Sequence, residues 1–416
     1  MMKVIKHNEL TEEFFQYKEF SGVESVSEII KDIKLNGDNR VKEYSAKFGD
    51  GKLEQFELTA EEIASAMAQV PQTVIDALKT AIENVKTFAQ AQLECIKPLK
   101  TEINGTELGH KIIPLQTIGA YVPGGNYPLP SSAIMNTVPA KVAGVKQVIV
   151  CSPRIKPVTV AACVLSGVDK IFKIGGVQAV AAMAYGTESI PKVDKIVGPG
   201  NKYVTAAKKE VYGVCGIDFL AGPSEVMIIA DDTANAEFIA ADMLAQAEHD
   251  TEAEAYLLTT SAELVEKVQI HLEEFLKTLK TADIARVSID KSYIILVDSI
   301  EQAIEISNKK APEHLEICFK DAYNKVNEFT NYGSLFIGNY SAEVFGDYCS
   351  GTNHVLPTNG VARYSGGLSV FDFIKIQTYQ QLTENSAKKN IAPVASKIAE
   401  IEGLFAHKLS ADLRMK

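Results

Sequence analysis

The chain has no apolar run long enough to cross a bilayer; its longest hydrophobic stretches, such as 148–151 and 226–230, are strand-sized. Residues 1–15 carry charges throughout and contain no apolar leader core, so no export signal is evident and a cytoplasmic setting is expected. The six cysteines at 95, 151, 163, 215, 318 and 349 include no CxxC pair, which argues for reduced thiols rather than a disulfide framework or a thiolate metal cluster. Positive charge is in deficit: 42 Lys and Arg face 53 Asp and Glu, a formal net charge of −11 with no basic stripe. Such a surface repels phosphate backbones and excludes nucleic acid as a partner. The G-x-G-x-x-G fingerprint of an ordinary dinucleotide fold is also missing, as are repeats and low-complexity linkers.

What is present is ordinary globular composition, 46% hydrophobic and 23% charged, over 416 residues. That length calls for two or more domains. The first hundred residues read as mainly helical: apolar residues at helical spacing over 23–33, a Thr59–Glu62 capping box, and a long helix over 74–93. From 111 the rhythm changes. Strands over 147–151, 170–174 and 195–197 alternate with helices over 158–166, 179–185 and 202–211. A second block sets strands over 226–230, 255–259 and 293–297 against helices over 234–248, 263–280 and 300–309, with strands over 315–319 and 334–337 after it. Alternation of this kind predicts parallel strands joined by crossover helices, an α/β protein. The stretch 385–416 reads as a separate helical tail broken at Gly403.

Several polar groupings stand out. Gly175-Gly176-Val177-Gln178 and Gly198-Pro199-Gly200-Asn201 each lie between a strand and a helix. Free N–H groups at a helix start favour an anion there, although glycine is common in such turns anyway. The segment 119–132, GAYVPGGNYPLPSS, is too rich in Pro and Gly for a helix or a central strand and is either a functional loop or a rigid connector. Gln246 and His249, three apart, project from one face near a helix C-terminus, as metal ligands or as an ordinary surface pair. Pro312-Glu313-His314 offers a carboxylate and an imidazole in a turn entering a strand, suited to acid–base work or simply solvated. Asp347 and His354 lie in a Gly-, Ser- and Thr-rich stretch, and Glu402 and His407 flank Gly403. Four of the seven histidines thus sit in polar groupings, and oxygen with imidazole donors suits a catalytic metal better than a closed structural site.

The blocks GAYVPGGNYPLPSSAIMNTVPAKVAGV, GPGNKYVTAAKKEVYG, LAGPSEV, QAEHD, APEHLEI, GDYCSGTNHVLPT and EGLFAHK resemble, in order and from about 119 to 414, the signature segments of histidinol dehydrogenases. The resemblance implies two incomplete Rossmann-like α/β domains of aldehyde-dehydrogenase-like type with small helical terminal segments. The expected division is 1–17; 18–120 with 225–370; 121–224; and 371–416. It implies one zinc ion per subunit held by Gln246, His249, Asp347 and His407, and Glu313 and His314 as the acid–base pair. Ser224, His354 and Glu402 are expected to bind substrate along with His314 and the metal ligands, and Tyr121, Gln178 and Asn201 to hold NAD. The family is homodimeric, so Glu402 and His407 are expected to complete the other subunit's site. The implied reaction is NAD-dependent oxidation of L-histidinol through the aldehyde to L-histidine. Cys349 departs from the small residue usual at its position and is expected to be dispensable, since no charged neighbour in sequence activates it. The rival readings are a relative acting on another small polar alcohol, a zinc hydrolase, and a non-catalytic metal-binding protein.

Overall fold

The structure is a computed structural model and describes residues 2–18, 22–124 and 127–416. Two parallel sheets form its frame. The first runs, edge to edge, through Lys3–Lys6, Tyr293–Leu296, Glu254–Thr259, Glu225–Ala230, His314–Cys318 and Ser334–Ile337. The second runs through Lys170–Phe172, Gln147–Cys151, Thr117–Tyr121, Lys195–Val197 and Gly216–Ile217. Every neighbouring pair in both is parallel, as the alternation of strand and helix predicts. Central strands such as Glu225–Ala230 are buried at every position, because helices cover both faces. No described helix is long and apolar enough to cross a membrane.

Local signals hold where they are chemical. Thr59 accepts from the Glu62 N–H at 3.1 Å while the Glu62 carboxylate accepts from the Thr59 N–H at 2.8 Å, the reciprocal cap that opens helix Ala60–Ala68. The helix over 74–93 extends over Gln72–Glu94, and that over 23–33 continues to Phe48 through a break at Gly37. The helix over 263–280 is shorter, Ala262–Leu276, and a further helix, Ala282–Lys291, follows it.

Three readings are corrected. Lys3–Lys6 is an edge strand paired with Tyr293–Leu296, not part of a helical N-terminal segment. The final segment is not wholly helical: Ile374–Leu382 is a strand that, with Thr106–Pro114 and Leu99–Ile103, makes a three-stranded antiparallel sheet. Finally, the buried side chains of 18–120 do not group chiefly with 225–370. Ile29, Ile33 and Val41 share a core with Ile149 and Phe172, while Leu78 and Val85 join Ile118 and Val148, so the early helices roof the five-stranded sheet. Strand Thr117–Tyr121 lies at the centre of that sheet.

Candidate active site

Crossover geometry assembles the site. Helix Ala236–Ala247 follows strand Glu225–Ala230 and returns antiparallel to it, so its C-terminal end arrives at the edge where the strands of the first sheet begin. Gln246 and His249 come from that end. Glu313 and His314 stand at the same edge, with His314 the first residue of strand His314–Cys318 rather than in the turn before it. Parallel pairing sets His314 opposite Val226 and Ser334.

The backbone of Glu225 holds both side chains. Its N–H donates to Glu313 Oε2 at 2.9 Å, and its carbonyl oxygen lies 3.2 Å from His314 Nδ1. Glu313 and His314 are 5% and 4% exposed, so both are confined to one setting. His314 Nε2 faces Asp347 Oδ1 at 3.4 Å, and Asp347 Oδ2 faces His249 Nε2 at 4.0 Å. His354 joins from the other side: its Nδ1 lies 2.7 Å from the Asp347 carbonyl oxygen and its Nε2 lies 3.4 Å from Ser132 Oγ. Gln246 is fully buried, and the amide orientation that satisfies its surroundings donates to Glu343 at 3.2 and 3.3 Å and accepts from the Glu225 N–H at 3.1 Å.

Burial pushes the Glu313 carboxyl up to about 8, against the pull of the neighbouring His314. Burial alone would depress His314, but the carboxylates of Glu313, Asp347 and Glu343 outweigh it and raise its pKa well above the usual imidazole value. For Asp347 burial acts upward, and the three surrounding imidazoles, His314 foremost, reverse it and hold the carboxyl below its usual value. A base tuned toward neutrality beside an imidazole is what proton transfer at physiological pH needs.

Glu225 and Glu343 border these side chains and were not singled out in the sequence, nor were Glu316 and Asp242 behind them. Burial raises Glu316 to about 8 and Asp242 to about 6. The spacing Glu343-x-x-x-Asp347, on the helix Glu343–Tyr348, was the signal available, because residues four apart share a helix face.

At the second sheet the expected cofactor residues gather where the strands end, the edge that takes ligands in open α/β folds. The Tyr121 hydroxyl accepts from the Gly176 N–H at 3.1 Å. Gln178 is 1% exposed, and its Oε1 has no hydrogen-bond partner. Asn201 caps helix Lys202–Val211 by accepting from the Tyr203 and Val204 N–H groups. At Gly198, whose φ is +109°, a Cβ would lie 2.1 Å from the Tyr121 carbonyl oxygen, so only glycine lets the two turns touch. In the loop over 119–132, Gly125 and Asn126 lie outside the described residues. The contact of His354 with Ser132, at the start of helix Pro130–Val142, joins this edge to the acid–base edge.

Two expected residues stand elsewhere. Glu402 and His407 are exposed on the tail and line a cavity of about 410 Å³ with Leu382, Ala395, Ile398 and Arg414, to which Asp347 does not contribute. Ser224 is half-buried beside Glu225, its carbonyl accepting from the Glu254 N–H at 3.0 Å. Cys349 is exposed. Among the described residues, no group of three or more His, Cys, Asp or Glu side chains converges as a metal cage.

A family model for histidinol dehydrogenase matches residues 16–415. The histidinol dehydrogenase of Methanocaldococcus jannaschii is 48% identical over 94% of this chain and 92% of its own. That of Clostridium acetobutylicum is 46% identical over 100% and 99%. The crystal structure of histidinol dehydrogenase from Elizabethkingia anophelis superposes with a TM-score of 0.94 at 39% identity, covering 100% of this chain and 98% of that one. With a match of this extent in sequence and in fold, the chain belongs to the histidinol dehydrogenase family of oxidoreductases.

Proposed function

We propose that the chain oxidises L-histidinol through L-histidinaldehyde to L-histidine with NAD, holding the substrate at a zinc ion. The carrying observation is the buried Glu313–His314 pair, held at one strand end by the Glu225 backbone and facing Asp347.

The donor set suits the metal. Gln246 supplies an amide, His249 an imidazole and Asp347 a carboxylate, the last two 4.0 Å apart. Donors of O and N type without thiolates suit a catalytic metal, and the partner subunit's His407 would make a fourth. The exposed tail supports exchange between two copies: Ile401 and Phe405 leave 76% and 68% of their surface uncovered. For NAD, the orphaned Gln178 Oε1 and the close approach of the Gly198 turn to Tyr121 fit a site built to receive a polar ligand. When bound, zinc supplies a Lewis-acidic anchor for the substrate's imidazole and amine, and NAD supplies the hydride acceptor.

The side chains then divide the proton work. The bare carboxylates favour a proton on His314, and a divalent cation at Asp347 and His249 would lower that affinity; in the neutral form so favoured, His314 takes the alcohol proton at Nε2, the nitrogen turned toward Asp347. Glu313, kept basic by burial, removes a proton from the water that adds to the aldehyde. After passing its first proton to solvent, His314 takes a proton from the resulting hydrate, so that the same base serves both oxidations. Asp347 stabilises the imidazolium each time, and His354 braces the Asp347 backbone. Ser224, His354 and the partner subunit's Glu402 contact the substrate. The burial of Glu313 and His314 would help to retain the aldehyde between steps.

The test is an assay with histidinol and NAD after metal removal and zinc readdition. Two NADH per histidine, dependent on zinc, is expected. One NADH with free aldehyde would replace this reading with a simple alcohol dehydrogenase.

A further inference from the structure

Asp50 takes no part in the chemistry above, yet it reaches from the other end of the sequence into the cofactor edge. It sits in the Gly49-Asp50-Gly51 turn that ends helix Val26–Phe48, with φ of +99° and +93° at the two glycines. That turn delivers its carboxylate to the first turn of helix Gly176–Tyr185, where Oδ2 accepts from the Gly175 N–H at 3.0 Å and from Gln178 Nε2 at 3.1 Å. A helix start with free N–H groups is the place a phosphate would take in an ordinary dinucleotide fold. Here a carboxylate of the chain itself has taken it.

A second observation points to a ligand. Gln178, gripped through its NH₂ by Asp50, leaves its amide oxygen buried and unpartnered. That oxygen is turned to the same helix start, since a Cβ at Gly176 would meet it at 2.8 Å. Beside it the Tyr121 hydroxyl already accepts from the Gly176 N–H. The helix start therefore presents acceptors, a carboxylate and an amide oxygen, and suits a ligand that brings hydroxyl donors. Burial raises the Asp50 carboxyl above its usual value, and the hydrogen bonds from Gly175 and Gln178 and the charge of exposed Arg154 counter that rise.

We propose that Asp50 is the specificity-determining residue of the cofactor site, its carboxylate accepting a ribose hydroxyl of the dinucleotide and excluding a ribose that carries a phosphate. The assignment rests on the reading of Tyr121 and Gln178 as dinucleotide contacts. An acidic side chain performs this discrimination in ordinary dinucleotide folds from the end of a neighbouring strand. Here it comes from a turn more than a hundred residues upstream of Gln178 in the chain. Arg154 sharpens the expectation. With Asp50 neutral, both the helix start and Arg154 lose the charge that offsets them and become attractive to phosphate.

Calorimetric titration of the full-length protein with NAD+ and with NADP+ tests this without turnover. The wild type is expected to bind NAD+ at least about tenfold more tightly than NADP+, the penalty of a like-charge contact. Asp50→Asn keeps the two accepted hydrogen bonds and removes the charge. It should weaken NAD+ and strengthen NADP+, narrowing the ratio at least about tenfold. Asp50→Glu, which keeps the charge, should retain the preference, and thermal melting checks that each variant is folded. Equal binding of the two cofactors by the wild type, or an unchanged ratio in folded Asp50→Asn, overturns the assignment to Asp50 while leaving NAD use intact. Failure of the wild type to bind either cofactor overturns the NAD reading itself, and the assignment with it.

Discussion

On the proposed mechanism, replacing Glu313 by Gln should separate the two oxidations. The glutamine is close to isosteric, and its carbonyl oxygen can still accept from the Glu225 N–H now 2.9 Å from Glu313 Oε2, so the strand end and His314 should keep their positions. Lost is a carboxyl that burial holds near pKa 8, a base matched to neutral or mildly alkaline conditions. A positioned general base contributes about 10²- to 10⁴-fold, so aldehyde hydration should slow by roughly a thousandfold, about 4 kcal/mol of barrier. Oxidation of histidinol to the aldehyde, which uses His314, should stay within about tenfold of wild type, the loss being confined to an interaction made in the later transition state. Rapid-quench kinetics with histidinol and with histidinaldehyde, followed by NADH absorbance, measures the two separately. The sign of the pH effect follows from the raised carboxyl. Its basic form grows as pH climbs through about 8, so the wild-type aldehyde step should accelerate over that range and the Gln variant should lose the dependence. Equal slowing of both half-reactions, or a normal aldehyde step, would refute the division of labour.

Other outcomes follow from the same geometry. In the proposed dimer, mixing Asp347→Ala and His407→Ala subunits, each expected to be inactive alone, should restore about a quarter of wild-type activity, since half of randomly paired dimers would be mixed and each would then have one whole site; no recovery would argue against a shared site. Lys208 and Asp218, 3% and 1% exposed, form an ion pair beneath the Gly198 turn, with Lys208 Nζ donating to the Gly198 carbonyl at 3.0 Å. Lys208→Met strands the buried carboxylate and should cost about 3–5 kcal/mol in denaturant unfolding, most of it recovered by adding Asp218→Asn. Glu316, raised to about 8 by burial and the neighbouring Asp242, favours its neutral form in the fold. A carboxyl whose pKa rises on folding contributes stability that is full below its unfolded value and fades as pH climbs through the folded one, about 1.4 kcal/mol for every tenfold gain in proton affinity. The wild-type melting temperature should therefore fall between about pH 4.5 and 8, and Glu316→Gln should flatten the decline; an identical slope would sink that account.

Much of this molecule is legible in the order of its residues. Alternating apolar runs and amphipathic stretches predict parallel strands and crossover helices, because burial on two faces leaves no other pattern. The Thr59–Glu62 cap and the strands over 147–151 and 195–197 follow from local chemistry alone. Glu313, His314, Asp347 and His354 each stand out as polar groups in odd surroundings, and the structure draws them together.

The remainder depends on partners far apart in the chain. Lys3–Lys6 is four residues with one buried side chain, and only the edge of Tyr293–Leu296 makes it a strand. Ile374–Leu382 is largely exposed and polar, and its strand character comes from nine residues of pairing with Thr106–Pro114. Nothing in residues 26–94 says which sheet they roof, since an amphipathic helix specifies that it must bury a face and not against what. The same holds for chemistry. Asp50, Glu225 and Glu343 are unremarkable carboxylates in sequence and gain their roles from the backbone N–H groups, amides and imidazole that folding sets beside them. Periodicity determines which surfaces are buried; the choice of partner, and with it the charge that a buried group carries, belongs to the tertiary structure, because long-range contact and desolvation have no local sequence signature.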